Sequence, residues 1–331
     1  MQDIAAPPDA RVLEPDLPII DPHHHLWVHT GHRYLIEEYQ ADLESGHKVL
    51  ATVYVECGAM YRRGGPPAMR PVGEVEFAAG VAAMSASGSY GPAQICAGIV
   101  GGADLSLGDV VGEVLDAMAA ASGGRLRGIR NATNWDPDPA VNTGSRPFAA
   151  PGALLDRRFQ AGCARLAARD LAYDAFVYHP QLADVCRLAD AFPHMTVVVN
   201  HCGGLLGIQG YARAETFGQW RSLVAEVARR GNTAMKLGGL SGRRCGFGFD
   251  ERREPASDEE LARLWRPYIE TCIALFGPER CMFESNFPPD RASGSYRTLW
   301  NAFKRITAGC SASEKAALYS ATAQRVYRLS L

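Results

Sequence analysis

Eight short runs of apolar and β-branched residues recur along the 331-residue chain, and segments of helical or alanine-rich character lie between them. The runs are 18–22, 51–57, 94–100, 126–131, 172–179, 195–201, 233–238 and 280–287; the intervening segments include 109–121, 154–169, 181–192, 217–230 and 258–276. Strands that alternate with helices pair in parallel, and eight such units are enough to close a barrel. An open doubly wound sheet would instead carry a glycine-rich turn after its first strand. Here the first strand runs into Pro22-His23-His24-His25. The sequence therefore predicts an α/β fold with one (β/α)8 TIM-type barrel over residues 13–331, preceded by a loose arm over residues 1–12 that is rich in Ala and Pro. No internal repeat, low-complexity tract or break in composition marks a second domain.

Composition narrows the partners. The chain is 47% apolar and 21% charged with a net charge of −2, so it lacks the basic excess that nucleic acid or an anionic membrane surface recognises. Its N-terminus has no basic segment followed by an apolar one, and no stretch approaches the ~20 apolar residues of a membrane helix. Nine cysteines are scattered without a Cys-x-x-Cys pair, which points to reduced thiols and a cytoplasmic setting. The expected partner is a small molecule; the basic pairs Arg62-Arg63 and Arg243-Arg244, each in a Gly/Pro-rich stretch, suit a small acidic ligand. Assembly into a homo-oligomer is left open.

Barrel enzymes carry their chemistry at the C-terminal ends of the strands. In that position stand His23 and His25 (strand one), Glu56 (strand two), Arg130 (four), His179 (five), His201 (six), Lys236 (seven) and Glu284 with Asn286 (eight). Side chains of a strand alternate between faces, so Asp21, His23 and His25 are expected on one face and His24 on the other. A lone histidine is more often structural than functional. Four of the nine at the ends of three strands form a pattern, and neutral imidazole suits zinc and similar metals.

The motifs Ile19-Ile20-Asp21-Pro22-His23-His24-His25-Leu26-Trp27, Gly128-Ile129-Arg130-Asn131, Asn200-His201-Cys202-Gly203-Gly204 and Met235-Lys236-Leu237-Gly238-Gly239 together resemble the amidohydrolase superfamily. The similarity is to the amidohydrolase-related branch that contains sugar-acid lactonases and pyrone-dicarboxylate lactonase, and it runs from about Ile19 to the C-terminus. It implies that His23, His25, His179 and His201 bind one divalent metal, zinc before others, or hold substrate and water without one. It also implies that Arg130 anchors a substrate carboxylate; Lys236, Glu56 and Trp27 are expected from the residues themselves as further substrate contacts.

One motif departs from the branch. Relatives end strand eight with an Asp that activates water, whereas this chain reads Glu284-Ser285-Asn286-Phe287-Pro288. Asn cannot take a proton from water at neutral pH. Glu284, two residues earlier and roughly 6–7 Å down the strand, is the expected substitute; Asp290 and Glu56 rank behind it. The catalytic set is thus expected to be Glu284, Asn286, His201 and His179, and loops 61–74, 134–152, 241–256 and 288–296 to shape the pocket. The expected activity is hydrolysis of a carboxylated lactone or similar ester by water held in a histidine cluster. The alternatives are a metal-dependent decarboxylase of an aromatic or unsaturated acid and a barrel that binds a ligand without turning it over.

Overall fold

The structure is a computed structural model, and it describes residues 11–29, 31–142 and 149–331. Eight parallel strands follow one another in chain order: β1 (Ile19–His24), β2 (Val49–Val55), β3 (Gln94–Gly102), β4 (Leu126–Arg130), β5 (Ala172–Ala175), β6 (Val197–Val199), β7 (Thr233–Leu237) and β8 (Cys281–Phe283). The ring is closed just beyond β8, where His24 bridges Phe287, the His25 amide donates to the Phe287 carbonyl (2.8 Å) and the Asn286 amide to the His23 carbonyl (2.9 Å). One long helix follows each strand: α1 (Ile36–Leu43), α2 (Val72–Ala86), α3 (Val111–Ala121), α4 (Arg157–Ala167), α5 (Leu182–Ala191), α6 (Thr216–Ala228), α7 (Asp258–Phe276) and α8 (Tyr296–Ile306). The chain is therefore a (β/α)8 barrel, as its pattern predicts.

Local chemistry sets the helix starts. Asp156 caps α4 by accepting from the Arg158 and Phe159 amides, and Ser257 and Ser295 cap α7 and α8; each satisfies amides that have no partner inside the helix. Alternation along the strands divides the core in two. Outward residues such as Ile19, Tyr173, Val197 and Phe283 pack beneath the helices, while Ile20, Val53, Val100, Val198 and Met282 fill the barrel. Ala323, Val326, Tyr327 and Leu329 join that inner cluster, so the C-terminal segment plugs the barrel floor.

The arm expected over residues 1–12 lies outside the described residues up to residue 10. Beyond that point the chain is tied to α8: Asn301 donates to the Arg11 carbonyl at 2.9 Å, and Lys304 donates to the carbonyls of Leu13 and Glu14, both at 2.8 Å. An antiparallel hairpin of Trp27–His29 with His32–Tyr34 was not expected. Among the described residues no helix is long and apolar enough to cross a membrane.

Candidate active site

Strands β5, β6 and β8 end sooner than their apolar runs, at Ala175, Val199 and Phe283. The backbone turns there instead of continuing. His201 and Cys202 have φ of 57° and 50°, and Asn286 has φ of 50°, a left-handed region that non-glycine residues seldom occupy and that clusters at functional sites. Gly239 accommodates this turn, because a Cβ at that position would lie 2.1 Å from His201 Nδ1.

Strand β1 is irregular in the place that matters. Asp21 points outward, as Ile19 does, and accepts from Tyr39 Oη (2.9 Å), Tyr296 Oη (3.1 Å) and Ser285 Oγ (2.6 Å). The pairing of β1 with β2 then shifts between Asp21 and His24. The extra step turns His23 into the barrel. His24 lies outward, bonded to Thr52 Oγ1 (2.9 Å) and stacked on Tyr39 with ring centres 4.2 Å apart. Asp21 therefore does not share the face of His23 and His25, a correction that follows from the bulge.

Glu284 stands at the centre of the site and is fully buried. Its Oε1 accepts from both the amide and Nδ1 of His201 (3.1 and 2.7 Å), and its Oε2 lies 2.5 Å from His23 Nδ1. The two imidazole centres are 4.7 Å apart. Burial pushes Glu284 up to about 7, against the pull of the Lys236 charge. Burial also holds His23, His25 and His201 well below the usual imidazole range; the charges of Lys236 on His23, Arg130 on His25 and Arg244 on His201 add to it. All three rings are thus neutral, with one N–H and one lone pair each.

On His25 and His201 the hydrogen bonds fix which nitrogen carries the proton. His25 Nδ1 lies 2.7 Å from the Val55 carbonyl, so its Nε2 keeps the lone pair. His23 Nδ1 lies 2.5 Å from Glu284 Oε2 and 3.4 Å from Lys236 Nζ, and its Nε2 lies 3.2 Å from Arg130 Nη1. The two Nε2 atoms lie 3.2 Å apart. Two imidazole nitrogens this close can share one cation, and imidazole with carboxylate is a donor set that suits zinc. Among the described residues, ligand atoms of His23, His201 and Glu284 also lie within 4.8 Å of one another. The residues present fit a divalent metal.

Four other expected residues join this network in altered capacities. Arg130 gives Nε to Glu56 Oε1 (2.8 Å) and Nη2 to the Glu56 carbonyl. Its guanidinium is thus taken by Glu56 and His23 rather than open to a substrate carboxylate, and Glu56 is its counter-ion. Lys236, expected as a substrate contact, is fully buried and bonded to Asp174 Oδ2 at 2.8 Å. Trp27 stacks on His25 with ring centres 5.9 Å apart.

His179 is not in this cluster. It lies in a short turn, Nδ1 accepts from the Leu206 amide (3.2 Å), and the ring abuts Tyr211 at 5.2 Å. Burial pushes it down to about 4. A neutral ring whose Nδ1 accepts carries its proton on Nε2, so His179 presents a hydrogen-bond donor apart from the cluster of His23, His25 and His201. Asn286, expected in the catalytic set, is a donor too: its Nδ2 bonds Asp290 Oδ1 at 2.8 Å.

Three residues were missed or ranked low. Asp174 is an acid inside an apolar run, a signal of a buried counter-charge; it also accepts from Asn200 and Tyr327. Asp290 is buried beside Asn286. Arg244, noted only as part of a basic loop, is half-buried, with its guanidinium carbon 5.4 Å from the centre of the Phe176 ring. That ring packs edge-on against His201 at 5.3 Å.

Known proteins similar to the chain share its family and fold. A family model described as amidohydrolase matches residues 20–329. An uncharacterised protein of Sinorhizobium fredii is 32% identical, over 95% of this chain and 99% of that protein. An L-fucono-1,5-lactonase of Burkholderia multivorans is 27% identical, over 94% of this chain and 96% of its own length. Among solved structures, a zinc-bound amidohydrolase from Burkholderia multivorans superposes with a TM-score of 0.72 at 24% identity, covering 94% of this chain and 99% of that one.

Proposed function

The chain belongs to the amidohydrolase family and is a hydrolase, and from that premise we propose that it opens a carboxylated lactone or a closely similar ester by adding water to the carbonyl. The observation that carries the proposal is the meeting of His23, His25, His201 and Glu284 at the C-terminal end of one barrel. Lactonase activity in a relative of nearly full-length similarity supports it.

Each group has a chemical task. Glu284 holds the His201 ring with its Nδ1 proton inward and lies 2.5 Å from His23 Nδ1, which fixes where the Nε2 atoms of the two rings stand. The His179 Nε2–H is a neutral donor able to hydrogen-bond a carbonyl oxygen as it gains charge. Arg244 is the substrate-acid anchor in place of Arg130: one donor bonds the Gly239 carbonyl (3.1 Å), and its Nε is buried without a partner. A guanidinium in that state suits a carboxylate. A metal held by the Nε2 atoms of His23 and His25 would polarise the carbonyl and lower the pKa of water. Elemental analysis of wild type and His25→Ala tests that assignment: metal content should fall in the variant, and equal content means that the pair holds none.

Proton release at constant pH tests the activity itself. Wild type should acidify solutions of carboxylated lactones faster than solutions of neutral aldonolactones such as L-fucono-1,5-lactone, and His201→Asn should lower the rate by ~10²-fold or more, the scale of a misplaced catalytic group. Background rates with both lactone classes, or release of CO2, would contradict the proposal.

A further inference from the structure

We propose that Asp290 accepts the proton of the attacking water, held in position by Asn286. The assignment rests on the lactone-opening activity proposed above and names the base that strand eight lacks.

The turn after β8 brings a carboxylate back to the strand end. Pro289–Ala292 forms one tight helical turn, the Asp290 amide donates to the Asn286 carbonyl at 3.1 Å, and Asn286 Nδ2 donates to Asp290 Oδ1 at 2.8 Å. Asn286 thus orients an acid four residues later instead of being one. Asp290 is only 2% exposed, yet its Oδ2 has no hydrogen-bond partner. The neighbouring Ser241 hydroxyl stands beside this carboxylate and also pairs with Ser293 Oγ (2.7 Å), which donates to the Asp290 carbonyl (3.0 Å).

The other buried acids of the site each lie against a cationic or imidazole group. Glu284 Oε1 takes two bonds from His201, and its Oε2 lies 2.5 Å from His23 Nδ1 without a hydrogen-bond partner of its own. Asp174 takes Lys236, Asn200 and Tyr327. Glu56 takes Arg130. An unpaired carboxylate oxygen in the interior is costly, and a water or substrate hydroxyl is the partner that removes the cost. The titratable and charged groups around Asp290 are Glu284 at the end of β8 and Arg244 with the Cys245 thiol on the loop after β7. Burial pushes Asp290 up to about 7; Glu284 adds to this, while Asn286, the Arg244 charge and the Ser241 hydroxyl oppose it. A base in that range can both take and return a proton at neutral pH.

In the step itself, the water oxygen bonds to the carbonyl carbon as one water proton passes to Asp290 Oδ2. The ring C–O bond then breaks, and the leaving alkoxide recovers that proton. The new carboxylic acid releases its own proton to solvent, so no co-reactant is needed.

Asp290→Asn preserves size and the bond from Asn286. It should lower kcat by ~10²–10⁴-fold, the range of a lost general base, leave KM within about threefold, and abolish the acidic limb of the kcat/KM profile. The exchange Asn286→Asp with Asp290→Asn returns a carboxylate to the strand end and should recover at least about tenfold. Should Asp290→Asn fail to fold, Asn286→Ala supplies the test, because losing the donor must move the acidic limb to higher pH. A folded Asp290→Asn enzyme with wild-type kcat, or an unmoved limb in Asn286→Ala, overturns the assignment. Wild type that opens no lactone overturns the activity instead, so the two failures are distinct.

Discussion

His201 is held in a left-handed backbone conformation by three neighbours: Gly238, Gly239 and Glu284. Added Cβ atoms at the two glycines would lie 2.6 Å from Glu284 Cγ and 2.1 Å from His201 Nδ1, and Gly239 itself has φ of 65°. Gly239→Ala should therefore destabilise the fold by about 1–3 kcal/mol and lower kcat by ~10²-fold, since displacing a positioned group by about 1 Å has that effect. Thermal unfolding and steady-state kinetics check both; wild-type values would mean that the turn is not rigid. Arg130 gives a second residue-level test. With its guanidinium taken by Glu56 and His23, Arg130→Lys should weaken folding, because removing one partner's geometry from a buried ion pair costs about 3–5 kcal/mol at the upper limit. KM for a carboxylated substrate should change less than about threefold. A selective rise in KM with unchanged stability would return Arg130 to the substrate-anchoring role that its sequence position suggests.

At the scale of elements, the strands and helices were legible because each apolar run is short, β-branched and followed by a helical segment. The residue types at the strand ends were legible for the same reason: a charged or imidazole side chain closing an apolar run has to face the barrel mouth or a buried partner. What could not be read was orientation. The register shift in β1 separates Asp21 from His23, and no residue in Asp-Pro-His signals it. Nor does sequence spacing tell that Arg130 meets Glu56 across 74 positions, or that Asn286 donates to Asp290. Those pairings arise only when the barrel closes. The C-terminal plug is another long-range feature: Tyr327 Oη lies 3.0 Å from both oxygens of Asp174, and its ring lies 5.2 Å from Lys236 Nζ. Tyr327→Phe keeps the ring but removes the donor, so denaturant unfolding should show a loss of about 1.5–3 kcal/mol, the value of a hydrogen bond to a charged group. An unchanged midpoint would mean that the floor of the barrel does not support the charged layer above it.

For the molecule as a whole, the buried histidines set the pH dependence of stability. Burial pushes His24 and His47 down to about 3 and His179 to about 4, and it holds His23, His25 and His201 low as well. Unfolded histidines gain protons below about 6.5 while these native ones do not, so the unfolded state binds more protons and stability falls with pH. Glu74, Glu284 and Asp290, pushed up to about 7 by burial, act in the opposite sense: their contribution is present in acid and lost above about 7. Asp21 and Asp258 are raised too, from a lower ordinary value. Six histidines outweigh these carboxyls below pH 6.5, so the melting temperature should drop between pH 6.5 and 5, by the equivalent of about 1–3 kcal/mol per pH unit for one or two net protons. A flat or rising profile would mean that the histidines are not buried in their neutral form.

In the proposed reaction, water adds at the carbonyl carbon of a cyclic ester in this histidine site. The measurement that tests it most directly is a turnover in 18O-labelled water followed by mass spectrometry of the opened acid. One 18O atom in the product's new carboxylate, and none in the freed hydroxyl, is the expected result. Label in the hydroxyl, or an unlabelled product released with CO2, would contradict it.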